Sequence, residues 1–136
     1  MGDVMKDLIL IKNSTVKSAG KGVFAKTLIP KGKRLCSYEG ELLSEQEFDK
    51  RSDTSYVFEV QKKVSGKYKL FYIDARKKKY SNWARYVNGV KTPFQKKKNL
   101  NVRAYQYNEK IFYKTTRNIK EGEELFIDYG DSYWTP

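Results

Sequence analysis

Short segments of alternating apolar and polar residues are the feature that most limits how this chain can fold. β-Branched and aromatic side chains recur in them at every second position, and turn residues separate them, which is typical of β-strands. The predicted strands are Leu8–Lys12, Gly22–Lys26, Arg34–Tyr38, Tyr56–Lys62, Lys67–Ile73, Val102–Tyr107, Ile111–Thr116 and Glu124–Ile127. We therefore expect a mainly β fold, of the β-rich α+β class, with little helix.

Turn and helix signals lie between these segments. Ser65-Gly66 and Asn108-Glu109 stand where two-residue hairpin turns are needed. A helix is predicted to begin at Ser44, because Glu47 lies three residues further on and can complete a capping box. A second short helix is predicted over Asn82–Tyr86.

The length of 136 residues suits a single domain, which we place at residues 1–136. Aromatic residues make up 15% of the chain, a share too high for a disordered polymer. Residues 89–98 contain Pro93 and a lysine run, and they are predicted to form an exposed loop. Apolar runs such as Leu8–Ile11 are far shorter than a membrane span, so we expect a soluble, intracellular protein without membrane contact.

The chain has no histidine, and Cys36 is its one cysteine. This composition excludes an intrachain disulfide, a zinc site built from cysteine and histidine, and any nucleophile activated by histidine. No metal site is predicted, and much of enzyme chemistry is excluded.

The charge is strongly positive, with 28 lysines and arginines against 16 acidic residues and a formal net charge of +12. Such a surface attracts polyanions or proteins that travel with them. Two runs concentrate the basic residues, Arg76-Lys77-Lys78-Lys79 and Lys96-Lys97-Lys98. Each run is either a nucleic-acid contact, a localisation signal or simply a solvated loop, and the sequence leaves these alternatives open.

Four segments combine residue types that suit ligand binding. They are 18–25 (SAGKGVFA), 38–41 (YEGE), 82–88 (NWARYVN) and 120–131 (KEGEELFIDYGD), the last preceded by 111–117 (IFYKTTR). The glycines around Lys21 permit a backbone to approach a ligand closely, although a tight turn explains them equally well. Likewise, Trp83, Tyr86 and Val87 are either site residues or core residues, and Asn88 is either a ligand contact or a cap.

Taken in this order, the four segments resemble the SET domain of lysine methyltransferases. The resemblance is closest to the PR subgroup, whose Asn-Trp-x-Arg-Tyr-Val-Asn signature is similar to residues 82–88. It covers residues 8–134 and implies small curved sheets in which the C-terminal segment passes through a loop formed by the preceding one. This pseudoknot would bring residues 82–88 beside residues 124–129.

The activity that the resemblance implies is methyl transfer from S-adenosylmethionine to a lysine amine. In-line displacement requires alignment of the amine, the methyl carbon and the leaving sulfur. Tyrosine rings can form a narrow channel for the lysine stem. The resemblance makes Tyr129 the catalytic tyrosine, with Tyr38 and Tyr113 shaping the amine pocket; the alternative for each is a packed strand aromatic.

The cofactor-binding residues implied by the resemblance come from three places in the chain. The predicted set is Gly20, Lys21, Gly22, Arg85, Asn88, Tyr129 and Trp134. Trp134 either covers the adenine or belongs to a hydrophobic clasp at the C-terminus. Arg85 serves either the structure or recognition of an acidic group.

The residues that carry the resemblance include no cysteine-rich post-SET segment, which would bind zinc and form one wall of the lysine channel. Residues 132–136, a partner chain such as a second copy, or the substrate itself is therefore expected to close the lysine channel. The expected substrate is a basic histone tail, with a nuclear or chromatin location and contact to the nucleosome or DNA through the two lysine runs. Two alternatives stay open: a catalytically silent PR/SET-like interaction module, and a basic nucleosome- or nucleic-acid-binding protein.

Overall fold

Strands dominate the computed structural model, which describes residues 7–17, 19–90 and 98–128. They are β1 (Ile9–Asn13), β2 (Lys21–Ala25), β3 (Arg34–Ser37), β4 (Glu41–Ser44), β5 (Val57–Val64), β6 (Lys67–Asp74), β7 (Asn88–Gly89), β8 (Val102–Tyr107), β9 (Lys110–Thr115) and β10 (Phe126–Ile127). The helices are α1 (Glu45–Asp49) and the 3₁₀ helices Lys78–Tyr80 and Trp83–Tyr86. The mainly β prediction is therefore confirmed.

The described strands form three small sheets. β1 pairs with β2, and β6 lies between β4 and β5; all these pairs are antiparallel. The largest sheet has the order β3-β9-β8-β10-β7. Here β10 lies between two strands that are consecutive in the chain, with Phe126 opposite Asn88, and Ile127 opposite both Gly89 and Val102. This insertion brings the last described strand against residue 88, as the resemblance implied.

Both predicted hairpin turns are confirmed. Ser65 and Gly66 have φ angles of 51° and 81° between β5 and β6, and Asn108 and Glu109 have φ angles of 50° and 65° between β8 and β9. Positive φ at both central residues is the backbone that matches the twist of a two-residue hairpin. These turns fix the register of the two longest antiparallel pairs, β5–β6 and β8–β9.

Helix α1 begins with the predicted capping box. The Ser44 hydroxyl accepts the Glu47 N–H at 3.2 Å, and a Glu47 carboxylate oxygen accepts the Ser44 N–H at 2.9 Å. The Phe48 ring stacks on the Tyr72 ring with centroids 3.9 Å apart, which holds α1 on the β4–β6 sheet. None of the helices within the described residues has the length and apolar character that crossing a membrane requires.

A single hydrophobic core lies where the sheets meet. Its side chains come from all three sheets and include Val23, Leu35, Val60, Tyr113 and Ile127, each exposed by 1% or less. Burying one such aliphatic side chain stabilises the fold by roughly 1.5–3 kcal/mol. The core therefore supplies the rigid support on which the loops around residues 14–22 and 82–90 are held.

Two short strands lie where the sequence predicted none. β4 pairs with β6, with Glu41 opposite Asp74, and β7 pairs with β10. The predicted exposed loop 89–98 was wrong at its start, because Gly89 pairs with Ile127 and the buried Val90 donates its N–H to the Ile127 carbonyl at 2.8 Å. The predicted loop residues 91–97 lie outside the described residues.

Candidate active site

An open cavity of about 370 Å³ lies between the loop that joins β1 to β2 and the segment that leads into β7. Its lining is Ala19, Gly20, Lys21, Ser55, Tyr56, Arg85, Tyr86, Val87, Asn88 and Gly89. Four predicted cofactor-binding residues are among them. Gly20 and Lys21 come from one end of the chain, and Arg85 and Asn88 lie more than 60 positions further on. The volume falls within the roughly 300–1,000 Å³ of small-molecule sites.

Gly20 brings the β1–β2 loop to the cavity wall. Its φ angle is +75°, in the left-handed region that favours glycine. The Gly20 carbonyl accepts the Ser14 N–H at 2.8 Å and so closes the loop. A Cβ added at Gly20 would meet open space, so the backbone conformation rather than crowding calls for glycine here.

Gly22 is glycine for a different reason. A Cβ added there would overlap the carboxylate of Glu124 and lie 3.1 Å from the Cβ of Ser14. Gly22 lies outside the lining of the cavity, whereas Gly20 and Lys21 are part of it. Crowding by the buried Glu124 carboxylate is therefore a reason for this glycine that the sequence analysis did not give. Contact of Gly22 with a cofactor stays a prediction.

Glu124 is an acidic residue beside the candidate site that the sequence analysis quoted within a motif without giving it a role. Its side chain is buried, and Oε1 accepts both the Thr15 N–H at 2.9 Å and the Thr15 hydroxyl at 2.6 Å. Oε2 accepts the Ser14 hydroxyl at 2.6 Å and the Asn88 side-chain amide at 3.2 Å. The signal in the sequence is an acidic residue directly before the apolar Leu125, Phe126 and Ile127.

Asn88 joins the same network from β7. Its Nδ2 donates to the Lys21 carbonyl at 3.1 Å and to Glu124 Oε2 at 3.2 Å. Both of these partners belong to segments distant in the sequence, so Asn88 ties the β1–β2 hairpin to the strand that enters β10. The predicted contact of Asn88 with a cofactor is untested, but the residue does line the cavity.

Arg85 lies in the cavity wall with much of its guanidinium used by the protein. Nε donates to the Ala75 carbonyl at 2.8 Å, and Nη2 donates to the Arg76 carbonyl at 3.0 Å. The guanidinium carbon lies 4.5 Å from the ring centroid of Tyr56 and 4.8 Å from that of Tyr86. These contacts stabilise the wall, and a cofactor contact stays a prediction.

The predicted 82–86 helix is present as the 3₁₀ helix Trp83–Tyr86, capped by Asn82. The Asn82 side chain accepts the Ala84 N–H at 3.3 Å and donates to the Ser37 carbonyl at 2.8 Å. This last bond fixes the helix to the end of β3. Asn82 is thereby held beside Ser37, the residue before Tyr38.

Tyr38 and Tyr113, the two predicted amine-pocket residues within the described part of the chain, lie together. Their ring centroids are 5.8 Å apart, and the Phe58 ring lies 4.6 Å from Tyr38 and 6.1 Å from Tyr113. Both tyrosines are buried, and the Tyr38 hydroxyl donates to the Tyr56 carbonyl at 2.7 Å. The aromatic cluster therefore adjoins the cavity at Tyr56, a residue that the sequence analysis missed.

Tyr129 and Trp134 lie outside the described residues. The described chain reaches Asp128, directly after β10, and β10 pairs with Asn88 and Gly89. The roles predicted for Tyr129 and Trp134 therefore stay predictions.

Comparison with known proteins identifies the family. Residues 9–136 match the PR domain of PR domain zinc finger protein 2. The chain belongs to the PR domain family. This match confirms the resemblance to the PR subgroup of SET domains that the four segments predicted.

Two curated relatives show how this PR domain relates to longer proteins. Histone-lysine N-methyltransferase set-17 of Caenorhabditis elegans is 33% identical over 126 residues, which are 93% of this chain and 42% of that protein. Human histone-lysine N-methyltransferase PRDM7 is 32% identical over 121 residues, 88% of this chain and 23% of that protein. This PR domain thus spans less than half the length of either relative.

Solved structures share the fold of this PR domain. The methyltransferase domain of human PR domain-containing protein 2 superimposes with a TM-score of 0.76 at 27% identity, over 96% of this chain and 82% of that one. The ATXR5 SET domain, solved in complex with di-methylated histone H3, has a TM-score of 0.75 at 22% identity, over 95% of this chain and 61% of that one. The second likeness is one of fold alone.

Proposed function

We propose that this PR domain is an S-adenosylmethionine-dependent protein-lysine N-methyltransferase. The hydrogen bond from the Tyr38 hydroxyl to the Tyr56 carbonyl carries the proposal, because Tyr56 also lines the 370 Å³ cavity. The residues predicted to shape the amine pocket and those predicted to bind the cofactor therefore meet at one point. An in-line transfer needs this arrangement, since donor and acceptor must be held within contact distance.

The names of the relatives support the same activity. Two of them are described as histone-lysine N-methyltransferases, and one solved structure is described as a methyltransferase domain. The family thus agrees with the chemistry that the described side chains suit. Function depends on the site rather than on the fold, so the residues around the cavity must carry the activity.

The residues present fit S-adenosylmethionine. Main-chain polar groups of the Gly20–Lys21 segment suit the charged methionine part, and the rings of Tyr56 and Tyr86 supply apolar surface. The open space beside Gly20 leaves room for a ligand at the wall. When bound, this cofactor supplies the methyl group and the sulfur that leaves.

Tyrosine side chains of this chain are proposed to bind the substrate lysine and to orient its amine. The buried rings of Tyr38, Tyr113 and Phe58 exclude water from the lysine stem, and removal of water lowers the pKa of a bound ammonium from its free value of about 10.4. A neutral amine is the form that attacks, because only it has a lone pair. The Tyr129 hydroxyl is proposed to orient that lone pair at the methyl carbon.

The proposed substrate is a lysine in a basic histone tail, with action in the nucleus on chromatin. Contact with nucleosomal DNA is proposed through Arg76-Lys77-Lys78-Lys79, all exposed, and through Lys96-Lys97-Lys98. Of the second run, Lys98 is within the described residues and is exposed. Self-association stays an untested prediction.

The deciding experiment is transfer of labelled methyl from S-adenosylmethionine to core histones and to intact nucleosomes. Tyr129→Phe removes one hydroxyl and is expected to lower turnover at least tenfold while cofactor affinity changes little. Tyr107→Phe, at a tyrosine exposed by 53% on β8, is the matched control and should leave turnover unchanged. Equal rates for the wild type and Tyr129→Phe would contradict the catalytic role of Tyr129.

Calorimetric titration with S-adenosylmethionine separates the remaining outcomes. Tight cofactor binding without label on histones would overturn the substrate while keeping the chemistry. Absence of both label and cofactor binding would favour the silent interaction module.

A further inference from the structure

Residues 60–80 carry an extreme share of the positive charge. Eight lysines and arginines stand in this stretch against one acidic residue, Asp74, so it supplies +7 of the net +12. The basic residues are Lys62, Lys63, Lys67, Lys69, Arg76, Lys77, Lys78 and Lys79, which we name the lysine face. The sequence analysis marked only the second half of this set, because the first half is spread along two strands.

Asp74 does not offset this charge at the surface. It is 1% exposed, its Oδ2 accepts Arg51 Nη1 at 3.1 Å, and its Oδ1 accepts the Arg76 N–H at 2.9 Å. Lys62 is half-buried, and the other seven residues of the lysine face are exposed. The exposed charge of this stretch is therefore entirely positive.

Folding places one residue of the lysine face, Lys62, in the same groove as Tyr80, which directly follows the second half of the face. Lys62 of the β5–β6 hairpin and Tyr80 of the neighbouring 3₁₀ helix line one open groove of about 380 Å³, together with Lys110. Glu39 and Glu109 also line this groove. The exposed lysines outside the groove thus attract an anion, whereas Glu39 and Glu109 disfavour one inside it. This distribution suits a long polyanion lying across the surface rather than a small anion in the groove.

Two lysines of the β5–β6 hairpin face each other across the strand pair. Lys62 is directly opposite Lys69 in the antiparallel register, and Lys67 lies at the tip beyond them. Like charges directly opposite each other destabilise a strand pair. An anionic partner relieves this repulsion, so the arrangement favours a bound state over the isolated domain.

The exposed rings beside the lysines indicate which polyanion fits. The Lys63 ammonium lies 6.0 Å from the Tyr68 ring centroid, and the ammoniums of Lys77 and Lys79 lie 6.0 and 5.0 Å from that of Tyr80. Both rings are exposed, Tyr68 by 68% and Tyr80 by 44%, but an ammonium over a ring face competes for that face with an unpaired base, whose stacking is how single-stranded nucleic acid is held. Lysines as point charges instead suit phosphate oxygens of a paired backbone.

We propose that the lysine face binds the phosphate backbone of duplex DNA without reading its sequence. It extends the nucleosomal DNA contact of the proposed function to the lysines of the β5–β6 hairpin, and it does not depend on methyltransferase activity. It does answer an electrostatic problem of the proposed substrate, because a +12 domain repels a basic tail and gains no attraction from it. DNA beside the tail would supply the attraction that the tail lacks.

The test measures binding of the full chain to a fluorescent random-sequence duplex of about 30 base pairs by anisotropy, at salt concentrations from 50 to 300 mM. The face variant is Lys67→Gln, Lys69→Gln, Lys77→Gln and Lys79→Gln combined. Each phosphate contact contributes roughly 0.9 to the slope of log affinity against log salt, so the slope should fall by roughly 3–4. Affinity near physiological salt should fall at least tenfold.

The matched control removes the same charge elsewhere, with Lys12→Gln, Lys26→Gln, Lys31→Gln and Lys120→Gln combined. These four lysines are exposed and belong to β1 and to loops that do not line the groove. The control should retain most of the wild-type slope, and thermal unfolding should show both variants folded. Equal losses in both variants would overturn the proposal, because the effect would then come from net charge alone.

Two further outcomes would overturn it. Tighter binding of a single strand than of the duplex at equal salt would mean that the face holds unpaired bases. Displacement of the duplex by polyglutamate as effectively as by unlabelled duplex would mean that the face recognises acidic proteins.

Discussion

At the scale of single residues, Glu124 accepts hydrogen bonds from two segments of the candidate site, the β1–β2 loop and β7. Within the described residues, four hydrogen-bond donors contact its carboxylate: the Ser14 hydroxyl, the Thr15 hydroxyl, the Thr15 N–H and the Asn88 amide. A carboxylate group has two oxygens with enough lone pairs to accept from all four donors. These hydrogen bonds hold the β1–β2 loop against β7, next to the proposed cofactor cavity.

We predict that Glu124→Gln loosens this loop. The new amide group places a donor against a donor, and we expect S-adenosylmethionine to bind about tenfold more weakly, equivalent to about 1.4 kcal/mol. Calorimetry checks the affinity, and hydrogen exchange of the Thr15 N–H checks the loop without any cofactor. Faster exchange in Glu124→Gln is expected even if the wild type binds no cofactor. The exchange rate therefore tests the structural role of Glu124 independently of cofactor binding.

Glu123→Gln is the matched control for this change. Glu123 accepts the Lys120 N–H at 2.8 Å and pairs with Arg117 at 3.2 Å, and it has no side-chain contact to the β1–β2 loop among the described hydrogen bonds. The control should leave both cofactor affinity and Thr15 exchange at the wild-type level. A Thr15 exchange rate that is the same in Glu124→Gln and in the wild type would contradict the role of Glu124.

Cys36 gives a second prediction at this scale. Burial raises the pKa of the Cys36 thiol, and the charge of nearby Glu39 raises this pKa further. Because the thiolate is the reactive form, iodoacetamide at pH 8 should modify native Cys36 at least tenfold more slowly than the urea-unfolded chain. Mass spectrometry of quenched samples measures both rates, and equal rates would show that the native thiol is not protected.

The sign of the linked pH effect follows from the same shift. The thiol of the unfolded chain ionises near pH 8.5, below the raised pKa of the folded state. The contribution of Cys36 to stability is therefore complete below about pH 8.5 and declines as the pH rises further. Replacement by serine should make the free energy of unfolding less dependent on pH between pH 8 and 10.

At the scale of elements, local sequence signals succeeded where a few neighbouring residues decide the structure. The Ser44–Glu47 box, the two hairpin turns and the short helix within residues 82–86 all depend on residues within three or four positions of one another. All eight predicted strands are present, with ends displaced by at most two residues. β4 and β7 were missed because their pairing partners, β6 and β10, lie tens of residues away.

Helix α1 carries the prediction for this scale. Ser44→Ala removes the cap and should destabilise the protein by about 1 kcal/mol, measured by urea unfolding at pH 7. Ser52→Ala, at an exposed serine beyond the helix, is the control and should change stability by less than about 0.5 kcal/mol. A destabilisation by Ser52→Ala as large as that by Ser44→Ala would contradict the capping role.

Acid should reduce the effect of Ser44→Ala. The hydrogen bonds from the Ser44 N–H and hydroxyl lower the pKa of Glu47, with a smaller contribution from the nearby Arg51 charge. A carboxyl whose folded pKa is lowered stabilises the protein above its unfolded pKa of about 4.3, and this contribution is lost as the pH falls through the folded pKa. The difference between wild type and Ser44→Ala should therefore be smaller at pH 3 than at pH 7.

At the scale of the whole molecule, Asn101 holds β10 in place. Asn101 is fully buried, its Nδ2 donates to the Glu124 carbonyl at 2.9 Å, and its Oδ1 accepts the Phe126 N–H at 2.8 Å. The Asn101 N–H also donates to the Phe126 carbonyl at 3.2 Å. One side chain thus supplies two of the bonds that fix the strand beside the cavity.

We predict that Asn101→Ala destabilises the whole fold. Two main-chain groups next to β10 lose their partner in the interior, at a cost of roughly 1–3 kcal/mol for each, so the loss should be about 3 kcal/mol. Asn13→Ala, at an exposed asparagine of β1, should cost less than about 0.5 kcal/mol. Chemical unfolding at pH 7 measures both, and a change below 1 kcal/mol for Asn101→Ala would contradict this account.

The sequence by itself determined the strand pattern, both hairpin turns, the capped helix and the family, because each of these is encoded in local spacing or in ordered motifs. It named Gly20, Lys21, Arg85 and Asn88, which the fold does bring to one cavity. Only the tertiary structure revealed Glu124 as the acceptor behind Gly22, Tyr56 as the link between the cavity and the aromatic cluster, and the groove that Lys62 shares with Tyr80. The reason is physical: Glu124 reaches Asn88 because β10 pairs with β7, and the other contacts also join residues far apart in the chain. Contacts between distant segments leave no trace in the spacing of neighbouring residues.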